Sequence, residues 1–387
     1  MKFCLSVCEF NPLHSGHVKL INEMKKQGDA VILIMSGNFC QRGNAAVMDK
    51  YTRARHAVLA GADLVIELPV AFSTSPAELF AKGAIKLLNE IKGEKVLFFG
   101  TERGDKETFL KTADAITRES KEFKKALKEY LATGIPFAEA RERALLDTEE
   151  DADLSLLRSP NSVLGLEYVK AIKFFRSDMD FCPIQREDNY NDESLNGEFC
   201  SSLAIRSSIE TGKKKKSKGY IPSFVYGDLP DVLPDFGKLI LFSAVRASSR
   251  DIKEITDCSE GLENRIKVLA RECRDLGTLI DRLETRRYTR ARISRILTNN
   301  MLGVTRDFSE KCLKSGLYLK VLAVNEDRKD LLSIRTDRSP LLTRKSDVDR
   351  LSGTAMECFY KDVFSNDVYS LVSGKKLNEY DMKIVKC

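Results

Sequence analysis

Histidine is scarce in this chain: three occur in 387 residues, and two of them, His14 and His17, fall within four positions of each other. No apolar run approaches the ~20 residues that a helix needs to cross a bilayer. That excludes a helical membrane protein and predicts no membrane partner. The ten cysteines form no Cys-x-x-Cys pair and no regular framework. With no signal peptide ahead of the first strand, they read as reduced thiols in a cytoplasmic protein. Charge of one sign is not in large excess either. The net charge of +6 is modest, so its distribution carries more information than its sum. The length exceeds one ordinary domain and predicts two or three, with ample core.

What is present concentrates at the start, in MKFCLSVCEFNPLHSGHVKL. Residues 3–8 are an apolar run of strand length, broken only by Ser6, as suits a strand buried on both faces. Asn11-Pro12 ends it, because proline fixes its own φ, lacks an N–H and biases its predecessor toward extended backbone. A helix is predicted from about Ser15, with Val18, Ile21 and Met24 on one face. Free N–H groups at that helix start favour an anion, and Gly16 lets a ligand approach the backbone. An imidazole pair there can donate hydrogen bonds to phosphate oxygens that gain charge as pyrophosphate leaves. His14-Ser15-Gly16-His17 resembles the HxGH signature of the nucleotidyltransferase superfamily, which includes class I aminoacyl-tRNA synthetases. Two plainer readings compete, a zinc site and a pair of histidines that merely finish a turn. A structural zinc site needs four ligands, however, and strand rise holds Cys4 and Cys8 about 13 Å apart.

Along the chain, residues 30–35 predict a second buried strand, followed by a glycine-bracketed loop, SGNFCQRG. Such a loop at a strand's carboxyl end is where open α/β sheets bind ligands. Residues 50–59 predict a helix, 64–68 a third strand, 75–91 a helix and 95–99 a fourth strand that runs into Gly100. Strand and helix in alternation argue for an α/β fold with a doubly wound parallel sheet. Residues 105–150 are charged, helical in pattern and read as an insertion. Ser159-Pro160-Asn161 opens another helix, and 181–184 predict a short strand ending near Arg186.

Ser201-Ser202 before a helix start, with Arg206 one turn on, can grip a phosphate. This stretch is similar to the second nucleotidyltransferase signature, though an ordinary capped helix explains it equally well. The lysine run at 213–216, with Lys218, reads as a solvated linker rather than a dedicated RNA contact. From Gly237 onward the pattern is mostly helical. Residues 281–295, DRLETRRYTRARISR, contain six arginines and no acid after Glu284. Arg286, Arg287 and Arg290 are predicted to share a helix flank beside Tyr288. Arginine binds phosphate in bidentate fashion and tyrosine offers a stacking face, which puts RNA slightly ahead of plain solubility. Strands are predicted at 317–324 and 331–334.

NPLHSGH, SGNFCQRGNAA, DKYTRA, GADLVIELP, SPAELFAKGA, SPNSVLGLEY, SSLAIRSSI and EGLENRI followed by RRYTRARISRIL occur in one order. Together they resemble the bacterial tRNA(Met) cytidine acetate ligase family over most of the chain. The resemblance implies an HxGH nucleotidyltransferase-like Rossmann fold, with a catalytic domain at 1–220 and a mostly helical, tRNA-binding region at 221–387. It implies that ATP, with Mg2+, activates acetate as acetyl-adenylate, and that the acetyl group passes to N4 of the wobble cytidine of elongator tRNA(Met). It implies catalysis by His14 and His17. The ATP site would comprise Val7, Cys8, Glu9, Phe10, Asn11, Pro12, Leu13, His14, Ser15, Gly16, His17, Val18, Lys19 and Leu20, completed by Gly100, Asn161 and Arg186. Ser202 and Arg206 match the second signature. Two rivals stay open: a small-molecule adenylyltransferase of the same fold, and a non-catalytic RNA-binding protein.

Overall fold

Continuous apolar strands alternate with amphipathic helices through the first half of the chain, and the sheet follows from that order. The computed structural model describes residues 1–118, 120–135, 137–148, 152–185, 200–259, 261–381 and 384–387. It opens β1 (Lys2–Cys8), α1 (Ser15–Lys25), β2 (Ala30–Ser36), α2 (Lys50–Leu59), β3 (Leu64–Leu68), α3 (Ala77–Asn89) and β4 (Glu94–Thr101). The charged stretch after β4 forms α4 (Lys106–Arg118), α5 (Lys121–Ala132) and α6 (Phe137–Thr148). The chain returns through α7 (Pro160–Phe174) to β5 (Asp180–Gln185), and α8 (Ser202–Glu210) follows. Arg186 lies outside the described residues.

Strands β1 to β5 are mutually parallel and run β5-β4-β1-β2-β3 across the sheet. The strand order therefore reverses between β1 and β4, which is where doubly wound sheets open a crevice at their carboxyl ends. Alternate side chains serve opposite faces. Phe3, Leu5, Ile32, Ile34 and Ile66 pack with α3 and α7 on one side. Cys4, Val31, Leu33, Met35 and Val65 pack with α1, α2 and α8 on the other.

A third core lies among α9 (Gly237–Arg246), α10 (Leu262–Glu272), α11 (Leu276–Leu283) and α12 (Arg290–Leu302), and α13 (Arg306–Lys314) follows. The chain then comes back to the sheet. β6 (Leu319–Val324) pairs antiparallel with β3, and the short β7 (Leu341–Leu342) and β8 (Val385–Lys386) both join β6, with α14 (Gly353–Ser373) between them. The strand expected at 331–334 is instead part of a 3-10 helix, Glu326–Ser333. Asn325 caps that turn by accepting from the Asp327 N–H, and acids at its start suit the helix dipole better than a strand.

A buried charge cluster ties this return to the first half. The Lys50 Nζ lies 2.6 Å from Glu67 Oε1 and 2.6 Å from Glu379 Oε1, and Lys320 adds a second ammonium 3.0 Å from Glu67. Burial pulls Lys320 down to about 7 and pushes nearby Asp362 up to about 6. Removing one member of such a set leaves a buried charge without a partner, which typically costs about 3–5 kcal/mol.

Candidate active site

A cleft with about 1260 Å³ of empty space, its mouth included, opens at the carboxyl ends of β1 and β4. It sits at the order reversal. Its apolar floor includes Leu33, Phe80, Phe99 and Tyr168; its polar rim includes Glu9, Asn11, His17, Arg42, Ser202 and Arg206. Of the residues expected at the nucleotide, Val7, Cys8, Glu9, Phe10, Asn11, His17, Leu20, Gly100, Asn161, Ser202 and Arg206 line it together. Pro12 and Leu13 are buried, and Ser15, Val18 and Lys19 line a shallow cleft beside Ile221 and Pro222 instead.

The two histidines divide the work at the start of α1. His14 is the N-cap: its Nδ1 accepts the Gly16 N–H at 3.2 Å, and its own N–H donates to His17 Nδ1 at 3.2 Å. Gly16 thus serves the cap with its N–H. The rings stack with centroids 3.7 Å apart, and Phe10 meets His17 edge-on at 4.9 Å. Because both Nδ1 atoms accept, the ring proton of each neutral imidazole is on Nε2. His14 is 2% exposed, whereas His17 reaches the cleft wall. His14 thus finishes the turn, and His17 stands at the cleft.

The second signature braces the same turn. Ser202 Oγ donates to the Pro12 carbonyl at 3.0 Å, and Arg206 Nη1 donates to the Asn11 carbonyl at 2.7 Å. Ser201, not Ser202, caps α8 by accepting from the Ala204 N–H. The Asn11-Pro12 bond in this turn is cis. Arg206 keeps further N–H groups beyond the one that holds the turn, so it can grip an anion and the backbone together.

Arg53 and Glu102, which the sequence did not single out, organise the rest together with Glu9, which it placed at the nucleotide. Arg53 is fully buried and donates to the carbonyls of Met48, Glu9 and Ser36 at 2.9, 2.6 and 3.1 Å, and also to that of Gly37. It pins the ends of β1 and β2 around the cleft. Glu9 Oε1 accepts from the Gln41 N–H at 2.6 Å and so ties the glycine-bracketed loop to β1. Burial pushes the Glu9 carboxyl up, against the Gln41 hydrogen bond and the charges of Arg206, Arg53 and Arg42. Glu102 accepts from Asn161 Nδ2 at 2.8 Å and from the Ser162 N–H at 2.9 Å. Burial raises its carboxyl, but the hydrogen bonds from Ser162 and Asn161 outweigh it and leave Glu102 below the usual range. Asn161 thus enters the cleft already oriented. The only available signals were a glutamate before Asn-Pro and one after Gly100.

The arginine-rich stretch departs from expectation. Helix α11 ends at Leu283, residues 284–289 form a connection, and Thr289 caps α12 by accepting from the Arg292 N–H. Arg286, Arg287 and Arg290 therefore share no helix flank. Tyr288 is 9% exposed, with the Arg292 guanidinium 5.1 Å from its ring centre, so its face is packed rather than offered to a base.

A family model described as HIGH Nucleotidyl Transferase matches residues 1–383. A tRNA(Met) cytidine acetate ligase of Caldanaerobacter subterraneus is 37% identical over 381 residues, covering 94% of each chain. One of Clostridium perfringens is 34% identical over 383 residues, covering 95% of this chain and 94% of its own. Among solved structures, Thermotoga maritima TmcAL bound with alpha-thio ATP superimposes with a TM-score of 0.89 at 27% identity, and its apo form with 0.91, each over 100% of both chains. With the HxGH turn, the doubly wound sheet and these full-length relatives in agreement, the chain belongs to the tRNA(Met) cytidine acetate ligase family of HIGH nucleotidyltransferases.

Proposed function

We propose that this chain activates acetate with ATP and transfers the acetyl group to N4 of the wobble cytidine of elongator tRNA(Met). The observation that carries the reading is the cleft at the order reversal, walled by His17, the brace of the HxGH turn and Gly100. The relatives' shared name and the α-thio ATP in the Thermotoga maritima structure support it. In the first step an acetate oxygen attacks the α-phosphorus and pyrophosphate leaves. In the second, the cytidine amine attacks the acyl carbon, AMP leaves and the amine loses a proton. An exocyclic cytosine amine is a weak nucleophile, so the mixed anhydride supplies the leaving group it needs.

His17 donates its Nε2–H to oxygens that gain charge in the first step, and His14 holds the His17 ring and the helix start in place. Glu9, Asn11, Ser202 and Arg206 orient the nucleotide, with Gly100 and Asn161 on the adenosine side. Mg2+, if bound, would be held by the triphosphate with at most one or two protein carboxylates, and would offset the charge on the phosphates. Glu9 is the sole carboxylate among the described lining residues. Residues 1–220 supply the nucleotide half, and 221–387, with the lysines at 213–218 beside it, the tRNA half, in a chain whose described helices include none long and apolar enough to cross a membrane.

The test is acetate-dependent exchange of labelled pyrophosphate into ATP. His17→Ala should lower exchange about 100- to 1000-fold, the size expected when one charge-stabilising donor is lost, while tRNA binding persists. Normal exchange by that variant would overturn the site, and release of a dinucleotide from wild type would replace the reading with the adenylyltransferase one.

A further inference from the structure

Beside the strand-end cleft lies a separate cavity with about 890 Å³ of empty space, mouth included. The two share a partition: Asn44 and Arg206 line both. The loop that carries Asn44 is held firmly. The Cys40 N–H donates to the Asn44 carbonyl at 2.9 Å, the Val47 N–H to Asn11 Oδ1 at 2.8 Å, and Thr298 Oγ1 to the Gly43 carbonyl at 2.6 Å. Gly43 has φ +79°, and a Cβ there would stand 2.4 Å from the Arg295 nitrogen, so the loop sits against α12 as only glycine allows.

The chemistry of the far walls differs from that of the cleft. Phe236, Ile240, Leu276, Ile280 and Leu297 present an apolar surface from α9, α11 and α12. The charged groups are Arg206, Glu210 and Asp235, one cation against two carboxylates. A phosphate-rich ligand would find that balance repulsive. A neutral flat heterocycle finds apolar faces, and at the partition it finds an arginine with donors only and an amide offering both donor and acceptor.

We infer that this cavity takes an unpaired cytosine base of the RNA substrate, with its amine edge at the Asn44–Arg206 partition. The inference rests on the function proposed above and names where the acetyl acceptor sits. Cytosine carries two acceptors, N3 and O2, beside the N4 amine. Donors from Arg206 suit N3 and O2, whereas uracil presents an N–H at the N3 position. With that edge at the partition, N4 abuts the cleft in which the adenylate forms. Unpaired bases are commonly splayed out of the RNA and stacked on protein in this way.

The experiment separates the two half-reactions. Ser294 and Leu276 line the base cavity only, and the helices that carry them contribute nothing to the described lining of the cleft. Ser294→Phe fills the cavity; Ser294→Ala leaves it open. Ser294→Phe should keep acetate-dependent pyrophosphate exchange, yet slow tRNA acetylation about 10- to 100-fold, the range that one stacked base is worth. Ser294→Ala should acetylate as wild type does. Acetylation at the wild-type rate by Ser294→Phe overturns the inference and leaves the proposed function intact. If wild type shows neither exchange nor acetylation, the proposed function itself fails. Should Ser294→Phe lose exchange as well, Leu276→Trp fills the cavity from α11, and the same two readouts decide.

Discussion

Two stretches carry dense positive charge, residues 213–218 and 282–295, and the fold treats them differently. In the sequence the arginine stretch looks the better site for RNA, because no acid follows Glu284 for many residues. In space its cations are largely spoken for. Arg282 pairs with Glu272 at 2.7 Å, Arg290 with Asp281 at 2.5 Å, and Arg295 with Asp257 at 3.1 Å, while Arg292 donates to the Asp257 carbonyl at 2.6 Å. The lysine run forms a 3-10 turn in which Lys214 alone is paired, with Asp231 at 2.9 Å. Lys213, Lys215, Lys216 and Lys218 are exposed, and no carboxylate among the described residues pairs with them. The turn ends at Tyr220, whose carbonyl accepts from the Ser15 N–H at 3.0 Å and Oγ at 2.8 Å, at the very start of α1. Absence of acids along the chain is a poor guide to their absence around a side chain. The unpaired lysines, anchored next to the HxGH turn, are the better placed of the two for a polyanion.

Replacing Lys213, Lys215, Lys216 and Lys218 together with glutamine should have the largest effect. Each phosphate left without its lysine lowers the slope of log affinity against log salt by about 0.7–0.9, so the slope for tRNA should fall by about 2–4 and affinity at low salt more than tenfold. Pyrophosphate exchange should not change. An unaltered slope in filter binding across a salt series would return the run to a solvated linker. The triple change of Arg286, Arg287 and Arg290 to glutamine should lower the slope by about 1–2, because the acids beside Arg290 already offset part of its charge. A larger fall for the arginines than for the lysines would reverse the comparison.

The same contrast marks how much of the molecule its sequence makes legible. Strands buried on both faces write themselves as largely apolar runs, so β2 is legible to within one residue and β3 to its ends despite Glu67. The HxGH turn is legible because a strand end, a proline and a helix start coincide within a few residues. The division of labour between His14 and His17 is not, since a cap is a matter of which nitrogen faces which N–H. Arg53 is invisible for a related reason. Its partners are all carbonyls, which every residue carries, so no pattern of side chains announces it. The Leu331-Leu332 pair looks strand-like in isolation, yet Asn325 and the two acids after it are helix-start residues, and the local turn prevails. The second wall of the base cavity comes from α9, α11 and α12, more than 190 positions after Asn44, and only the fold brings them together.

The smallest expected effect on RNA is at Tyr288, and it sharpens the contrast most directly. A tyrosine between arginines suggests base stacking, but here the ring is packed in the helical core under Arg292, and its backbone closes a turn with Thr285 at 3.0 and 3.1 Å. Tyr288→Leu removes the aromatic face while keeping an apolar side chain, so it should destabilise the chain by about 1–3 kcal/mol, as shape changes in a packed core do. tRNA affinity measured well below the melting transition should stay within about twofold, because a stacked base, worth about 1–3 kcal/mol, would cost about fivefold or more. A stable Tyr288→Leu protein that binds tRNA tenfold more weakly would mean that the ring swings out to meet a base, and that the arginine stretch, despite its pairing, belongs to the RNA surface.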